Sequence, residues 1–247
     1  MTEPGEAESQ IESVELDSPA RAPRTIGHYD PQALLVELEP EAERLLNRHF
    51  GVAVEWLPHD LIPYSLGRDF DKEPWTPDQP RLTGVARSAF EVGLLTEDNL
   101  PSYHRLIYGM FGDGDGAWLN WVGRWTAEEG RHAIVLRDYL TVTRNVDPTA
   151  LERSRMDLLE QGYERNMDPL RGLAYVSLQE VATRVAHRNT GRYSGDPVAD
   201  QIMRHISADE NLHAAFYRDI LTAAARIFPS ATVEAVVAEI MAFEMPG

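Results

Sequence analysis

Apolar residues recur at intervals of three and four along most of this chain, the spacing that gives an amphipathic helix one buried face. No segment of useful length alternates between apolar and polar residues as a half-buried strand would. The intervals predict helices over residues 81–99, 101–112, 117–143, 150–165, 169–190, 196–227 and 231–243. Helices joined by such short connections pack antiparallel to their neighbours, so the predicted fold class is all-α.

Proline, glycine and asparagine mark the ends of these helices. The predicted breaks lie at Pro101, at 112–116, at Asp147-Pro148, at 166–169, at 191–197 and at Pro229. Residues 31–49 predict an earlier amphipathic helix, interrupted at Pro40, and residues 57–80 predict an extended connection. Residues 1–25 are rich in Glu, Ser and Pro, which predicts a disordered acidic leader before a single domain over 26–247.

Two of the predicted helices carry the same short motif, an acidic pair whose second member is followed three residues later by histidine. In TAEEGRH (126–132) the candidate ligands are Glu129 and His132, and in SADENLH (207–213) they are Glu210 and His213. Positions i and i+3 share a helix face, so each motif can aim a carboxylate and an imidazole at one point. Oxygen ligands with one nitrogen favour redox iron or manganese over a metal that prefers thiolates.

Each motif has a further glutamate upstream, at about the length of a helix, a turn and a second helix. Glu97 precedes the glutamate of the first motif by 32 residues, and Glu180 precedes that of the second by 30 residues. A carboxylate-bridged metal pair in a four-helix bundle uses Glu-x-x-His from two helices and one Glu from each of the other two. Spacing alone favours Glu97 over Asp98, and a salt bridge to Arg184 is the alternative for Glu180. The sequence therefore predicts two metal ions between four helices.

Net charge, the length of apolar runs and the absence of cysteine exclude several classes of function. The formal net charge is −17, from 23 basic and 40 acidic residues, which argues against nucleic acid because phosphates require a dense basic surface. No apolar run is long enough to span a bilayer and no secretory signal is recognisable, so the expected setting is the cytoplasm. Cysteine is absent, so this chain ligates no iron–sulfur cluster, and redox chemistry at the metal site would need electrons from a separate protein.

Five longer strings surround these candidates. They are WLPHDLIP (56–63), TEDNLPSY (96–103), WTAEEGRHAIVLRDYL (125–140), SLQEVATRVAHRNT (177–190) and SADENLHAAFYRDI (207–220). In this order they resemble the soluble acyl-[acyl-carrier-protein] desaturases, in particular the actinobacterial branch, over about residues 31–247. The resemblance implies a ferritin-like four-helix bundle with extra flanking helices and a di-iron carboxylate site in the bundle core.

The resemblance also implies an activity. Members of the family use dioxygen and ferredoxin electrons to introduce a double bond into a fatty acyl chain held on acyl carrier protein, and they tend to form homodimers. The expected cofactor is two ferrous ions, and the expected partners are acyl carrier protein, a ferredoxin-type donor and a second copy of the chain. Hydroxylation of a carrier-bound acyl group and non-catalytic iron binding are the alternatives. A radical-generating subunit is less favoured, and Tyr217 is the side chain to inspect for it.

Carried over residue by residue, the resemblance implies six iron ligands: Glu97, Glu129, His132, Glu180, Glu210 and His213. It selects Glu97 over Asp98, because the first acid of TED occupies the ligand position of the family. Glu129 and Glu210 are expected to bridge the irons. Glu97 and Glu180 would each bind one iron, beside His132 and His213 respectively or in the crossed arrangement.

Three further residues are implied to act beside these ligands. Thr183 shares the helix face of a ligand glutamate and matches a threonine linked to the handling of oxygen, with a hydrogen bond to its i−4 carbonyl as the ordinary alternative. Asp209 and Trp125 match an acid and a tryptophan beside a ligand histidine, on a path towards the surface, where the acid would orient the ring. Core packing is the alternative for Trp125. Glu128, the acid before the first motif, receives no role.

Acyl carrier proteins are acidic, so a chain with a net charge of −17 needs a local basic surface to bind one. Four arginines lie near the end of one predicted bundle helix and the start of the next: Arg184, Arg188, Arg192 and Arg204. They predict a docking surface for the carrier protein, with scattered solvated charge as the alternative.

Overall fold

The structure is a computed structural model that describes residues 29–112 and 115–245. Its helices are α1 (Pro31–Val52), α2 (Pro58–Leu61), α3 (Gly84–Asp98), α4 (Leu100–Phe111), α5 (Ala117–Val142), α6 (Pro148–Gln161), α7 (Pro169–Ser194), α8 (Pro197–Ile227) and α9 (Pro229–Met241), with a 3-10 turn at Tyr64–Leu66. These residues contain no strand, so the predicted all-α class is confirmed for them. The leader predicted over 1–25, the domain boundary at 26 and part of the break at 112–116 lie outside the described residues.

Aspartate followed by proline begins four of the helices. Asp30, Asp147, Asp168 and Asp196 each accept a hydrogen bond from a backbone N–H of the first turn, and a proline follows each of them. The carboxylate satisfies an N–H that no helix carbonyl reaches, and proline already has the φ angle of a helix. These starts fix where α7 and α8 begin, and so the height at which they present their side chains.

Four helices form the bundle: α3, α5, α7 and α8. Helix α7 packs along α8, and α3 packs on both α5 and α7. Helix α1 lies against α5 and α8, α4 against α5, α6 against α3 and α9 against α7. This is the four-helix bundle with flanking helices that the sequence predicts. Among the described helices, none combines the length and the hydropathy needed to cross a membrane.

Two expectations for the segment before the bundle are wrong. Helix α1 runs through Pro40 without interruption, because Pro40 lies on the exposed side, where a carbonyl that loses its N–H partner can bind water. The connection over 57–80 is not wholly extended, since it contains α2 and the 3-10 turn. The break at Pro101 is confirmed: α3 ends at Asp98, and Pro101 lies in the first turn of α4.

The apolar core is divided into two clusters by a polar layer. Helix α5 gives apolar side chains from 117–125 to one cluster and from 135–140 to the other. Helix α8 runs the opposite way, with 216–224 in the first cluster and 199–206 in the second. The buried carboxylates and imidazoles of both helices lie between these stretches. Charged groups buried at this depth are costly unless they are paired or bind a cation.

Arg144, just after α5, anchors the connection between α2 and α3. Its side chain is buried, and its φ angle is +59°. The guanidinium donates to Gln79 Oε1 at 2.7 Å and to the Glu73 carbonyl, and it lies 4.2 Å from the centre of the Phe70 ring. One side chain therefore ties this connection to the end of the bundle.

We expect Arg144→Ala to lower the free energy of unfolding by about 3 kcal/mol, because it removes two hydrogen bonds and a ring contact made by a buried charged group. Arg144→Gly should be less damaging by about 1 kcal/mol, since glycine adopts a positive φ freely. Urea unfolding midpoints with unchanged m-values would measure both effects. Arg153→Ala, at an exposed position of α6, is the control. A midpoint for Arg144→Ala equal to that of the control would contradict the anchoring role.

Candidate metal centre

Six side chains from the four bundle helices converge in the polar layer. Helix α3 contributes Glu97, α5 contributes Glu129 and His132, α7 contributes Glu180, and α8 contributes Glu210 and His213. All six are buried, and both histidines are fully inaccessible to solvent. The structure thus brings together every residue that the sequence proposes as a metal ligand.

The six residues form two groups that share two glutamates. The first group is Glu97, Glu129, His132 and Glu210, and the second is Glu129, Glu180, Glu210 and His213. Within each group, one ligand atom from every residue lies within 4.8 Å of the others. Glu129 and Glu210 belong to both groups, as bridging carboxylates must. Glu97 lies in the group of His132, and Glu180 lies in the group of His213. Of the two pairings that the sequence leaves open, the structure has this one and not the crossed one.

The donor atoms of these groups fit metal ions. His132 Nδ1 lies 3.6 Å from a Glu97 oxygen, and His213 Nδ1 lies 3.6 Å from a Glu180 oxygen. His213 Nδ1 also lies 2.9 Å from Glu129 Oε1. A neutral ring whose Nε2 carries the proton presents Nδ1 as an acceptor, and carboxylate oxygens also only accept, so a cation in each group would satisfy both kinds of atom. Oxygen donors with one nitrogen per group suit iron or manganese.

In the absence of a cation, the buried glutamates and histidines of the polar layer shift each other's pKa values. Burial raises the pKa of Glu210 well above its ordinary range, and the carboxylates of Glu129 and Glu180 raise it further. Burial also opposes ionisation of Glu129, but hydrogen bonds with His132 and His213 hold its pKa below the ordinary range. Burial disfavours a charged imidazole, yet the surrounding carboxylates raise the pKa of both histidines well above the usual value. Metal binding would therefore displace protons from this layer.

The acid before each motif orients the histidine of the other motif. Asp209, before the second motif, accepts a hydrogen bond from His132 Nε2 at 3.2 Å. Glu128, before the first motif, accepts one from His213 Nε2 at 2.9 Å. A carboxylate on the far nitrogen holds the ring with Nδ1 towards the metal position. This geometry matches the role predicted for Asp209. Glu128 is its counterpart, a residue that sequence reasoning missed although its place before the motif is the same.

The tryptophan beside Asp209 is not the predicted one. Trp125 is buried on α5, and its indole N–H donates to Glu180 Oε1 at 3.0 Å, so it holds a glutamate rather than a histidine. Trp56, in the connection after α1, donates to Asp209 Oδ2 at 2.8 Å. Its ring lies parallel to that of His132, with 6.3 Å between centroids and 4° between planes. Helix α5 turns Trp125 towards α7, and a part for Trp125 beside a ligand histidine stays a prediction. The tryptophan that lies against His132 therefore comes from the connection after α1, outside the four bundle helices.

His187 is another residue that the sequence analysis does not single out. Its Nε2 lies 2.8 Å from Glu97 Oε1, and its side chain is buried. A signal was available, because His187 follows Glu180 by seven residues and therefore shares its helix face. Asp98 belongs to neither ligand group and lies 3.0 Å from Arg155, which agrees with the choice of Glu97.

Thr183 is buried on α7 one turn after Glu180. Its hydroxyl donates to the carbonyls of Gln179 and Glu180, each at 3.1 Å. This is the ordinary behaviour of a helix threonine. A part for Thr183 in the handling of oxygen stays a prediction.

Tyr217, the candidate for radical chemistry, is fully buried on α8. Its hydroxyl finds no hydrogen-bond acceptor among the described residues. Burial, with the charge of Glu180 added, raises its pKa.

The fold and the buried cluster define a four-helix-bundle protein whose core can hold two metal ions. A model of the fatty acid desaturase family matches residues 31–247. The chain is 48% identical over 226 residues to DesA1 of Mycobacterium tuberculosis, whose name describes an acyl-[acyl-carrier-protein] desaturase, in a match that covers 87% of this chain and 67% of that protein. It is 38% identical over 195 residues to the chloroplastic stearoyl-[acyl-carrier-protein] 9-desaturase 6 of Arabidopsis thaliana, covering 73% and 49% respectively.

A solved structure has the same fold. The X-ray structure of DesA2 from Mycobacterium tuberculosis H37Rv, also named for acyl-ACP desaturation, matches with a TM-score of 0.74 and 30% identity. The match covers 87% of this chain and 80% of that chain. The protein belongs to the fatty acid desaturase family, and the family resemblance of its sequence is confirmed.

Proposed function

We propose that this protein is an acyl-[acyl-carrier-protein] desaturase that uses two iron ions, dioxygen and electrons from a ferredoxin-type donor. The observation that carries the proposal is the pair of buried ligand groups joined by Glu129 and Glu210. Relatives whose names describe desaturation of acyl carrier protein substrates support the substrate class. The substrate is thus a fatty acyl chain held as a thioester on a carrier protein.

Residues of this chain prepare the site for that chemistry. When bound, the two iron ions would allow dioxygen to be reduced to two water molecules with two electrons from the donor, two protons from solution and two hydrogens from neighbouring carbons of the acyl chain. Four glutamates offset the charge of two divalent ions: Glu97, Glu129, Glu180 and Glu210. The apolar clusters on both sides of the polar layer exclude water, which suppresses side reactions.

Trp56 marks where electrons would enter. The contact from the ligand groups to the surface runs through His132, Asp209 and Trp56 to the half-buried ring of His205, whose centroid lies 5.4 Å from that of Trp56. The Arg131 guanidinium lies 4.5 Å from the centre of the Trp56 ring and is paired with Asp209 at 2.7 Å. This series of contacts supports the entry of electrons from a donor protein near Trp56 and His205.

The four arginines predicted to dock the carrier protein line one groove of about 460 Å³ between α7 and α8. Arg184 donates to Asn211 at 2.7 Å, while Arg188 lies 2.6 Å from Asp200. Arg204 contacts the same aspartate, so one carboxylate serves two of the four cations. Arg184 and Asn211 directly follow Thr183 and Glu210 in the chain, which places the groove beside the metal centre. We propose this groove as the docking surface for acyl carrier protein.

Reversing two of these charges, in Arg188→Glu with Arg192→Glu, should weaken the affinity for acyl carrier protein by about 10- to 100-fold at low salt, because like charges then face an acidic partner. Binding measured by fluorescence anisotropy over a range of salt concentrations would test this. Arg153→Glu with Arg226→Glu makes the same change in net charge at exposed positions elsewhere and serves as the control. Equal affinities for the two double variants would exclude the groove.

Reconstitution with product analysis tests the proposed function. The iron-loaded protein would be supplied with a ferredoxin system, dioxygen and acyl carrier proteins bearing chains of different lengths. We expect an acyl product lighter by two hydrogens in mass spectrometry. A product heavier by one oxygen would identify a hydroxylase. A protein that binds two irons but leaves every substrate unchanged would overturn the proposal. The homodimer and the cytoplasmic setting stay predictions of the sequence, and the first can be checked by size measurement.

A further inference from the structure

The acids that orient the two ligand histidines are themselves held by different donors. Asp209 accepts from the indole N–H of Trp56 at 2.8 Å. Glu128 instead accepts from His49 Nε2, which lies 3.0 Å from Oε2 and 3.2 Å from Oε1. His49 comes from α1, which is not one of the four bundle helices. Arg131 donates to Asp209 at 2.7 Å and lies 3.8 Å from Glu128, so the two acids share this cation and differ in their ring donors, an indole for Asp209 and an imidazole for Glu128.

His49 is built into the interior and contributes no atom to the ligand groups. Its side chain is 3% exposed, and its ring meets that of Trp121 edge to face, with 5.2 Å between centroids. Its Nδ1 is buried without a hydrogen-bond partner in the described part of the chain. Nε2, by contrast, faces two carboxylate oxygens, which can only accept. The ring proton therefore belongs on Nε2, and His49 is a donor to Glu128.

Glu128 is thereby fixed by three donors at once. His213 Nε2 donates to Oε2 at 2.9 Å, and His49 donates to the same carboxylate. Arg124 Nη2 lies 2.5 Å from Oε1. With fewer donors the carboxylate could turn about its terminal bond, and His213 would lose the contact that holds its Nδ1 towards Glu180 and Glu129.

We propose that His49 is a positioning residue for the metal position formed with Glu180 and His213, and that it acts through Glu128. The inference rests on the metal centre of the proposed function, and on no property of the acyl substrate or the electron donor. It makes the two metal positions unequal, because only one of them depends on a side chain of α1. Outer partners of a metal-bound histidine change metal affinity by about 10- to 100-fold when they are removed.

Titration of the metal-free protein with Mn²⁺, followed by the EPR signal of free Mn²⁺, measures this without an activity assay. The unchanged protein should bind two ions per chain. His49→Leu should bind one ion as before and the other about 10- to 100-fold more weakly. If each of the two ions binds His49→Leu as tightly as it binds the unchanged protein, the proposal is overturned.

Two amide variants separate positioning from a general loss of structure. In His49→Gln the amide nitrogen can reach the place of Nε2, so it should restore most of the affinity. In His49→Asn the amide nitrogen falls near the place of Nδ1 and cannot reach Glu128, so it should behave like His49→Leu. Circular dichroism and urea midpoints would establish that both variants fold. Equal Mn²⁺ affinities for the glutamine and asparagine variants would contradict a role through Nε2.

Ligand variants assign the effect to one metal position. In a Glu97→Gln background the remaining ion occupies the position of Glu180 and His213, and His49→Leu should still weaken it. In a Glu180→Gln background the remaining ion occupies the other position, and His49→Leu should have no effect. Equal weakening in both backgrounds would refute the assignment. These titrations use no acyl substrate. A protein without desaturase activity can therefore still show the effect of His49, and an active desaturase can lack it.

Discussion

Glu210→Gln is expected to abolish tight binding of both metal ions and to lower acyl-chain desaturation by at least about 1,000-fold, since a bound metal contributes several kcal/mol to catalysis. Glu210 belongs to both ligand groups, so its loss affects both ions together. The remaining three glutamates would leave two divalent ions with an unbalanced positive charge in a buried layer. Metal content by mass spectrometry, together with product formation, would measure the two effects.

The same variant should not harm the metal-free protein. Burial, and then the nearby charges of Glu129 and Glu180, raise the pKa of Glu210, so the metal-free fold already favours its neutral form. Glutamine imitates that form and removes the cost of ionising it. In the presence of a chelator, we expect the melting temperature of Glu210→Gln to equal or exceed that of the unchanged protein.

Glu160→Gln, at an exposed position of α6, is the matched control and should bind two ions. A Glu210→Gln protein that retains two tightly bound ions would show that Glu210 is not a shared ligand. A large loss of stability with chelator present would show that the carboxylate has a structural part beyond metal binding.

Metal loading is the second large effect, and it should raise the melting temperature by about 10–20 °C. A ligand at about 100 times its dissociation constant stabilises the fold by about 2.7 kcal/mol, so two ions contribute about 5 kcal/mol. For a chain of this size, each kcal/mol corresponds to about 2–4 °C. Thermal unfolding with chelator or with saturating Mn²⁺ would measure the difference.

The rise in melting temperature on metal loading should grow as the pH rises from 6 to 8. In the metal-free protein the pKa values of His132 and His213 are raised by their carboxylate partners, against the effect of burial. Stability from these protonated rings is complete below the unfolded pKa of about 6.5 and is lost as the pH rises through the folded value. The raised pKa of Glu210 has the same sign, because the fold holds a proton that the unfolded chain releases above about pH 4.3.

Metal ions displace these protons, so metal binding becomes stronger with rising pH while the metal-free protein becomes less stable. The lowered pKa values of Glu128, Glu129 and Asp209 act only in more acidic solution and do not alter this range. Melting curves at three pH values, with and without Mn²⁺, would test the trend. A stabilisation by metal that stays constant or shrinks from pH 6 to 8 would contradict it.

The fold could be predicted because its determinants are local. Helical spacing of apolar residues and Asp-Pro starts such as Asp168-Pro169 act within a few residues of the chain. The interruption expected at Pro40 is wrong because its determinant is not local. Whether a proline interrupts a helix depends on which side of the helix faces solvent, and packing on the bundle decides that.

The ligands could also be predicted, for two different reasons. Glu129 with His132, and Glu210 with His213, each lie one turn apart on a single helix, so the sequence itself fixes their common direction. Glu97 and Glu180 followed from matched spacing and from the family resemblance. His187 lies seven residues after Glu180 on the same helix face, so the same spacing rule applies to it.

An all-helical chain and six side chains of the right chemistry follow from the sequence, since helix periodicity links residue spacing to direction in space. Packing of the helices places Glu97 with His132, and it sets each acid before a motif against the histidine of the other motif. It also decides that Trp56 and His49 hold those acids. These partners are separated by 79 residues or more, from Glu128 to His49 and from Asp209 to Trp56. No local periodicity spans such distances, and the packing of α1 and its following connection against the bundle brings them together.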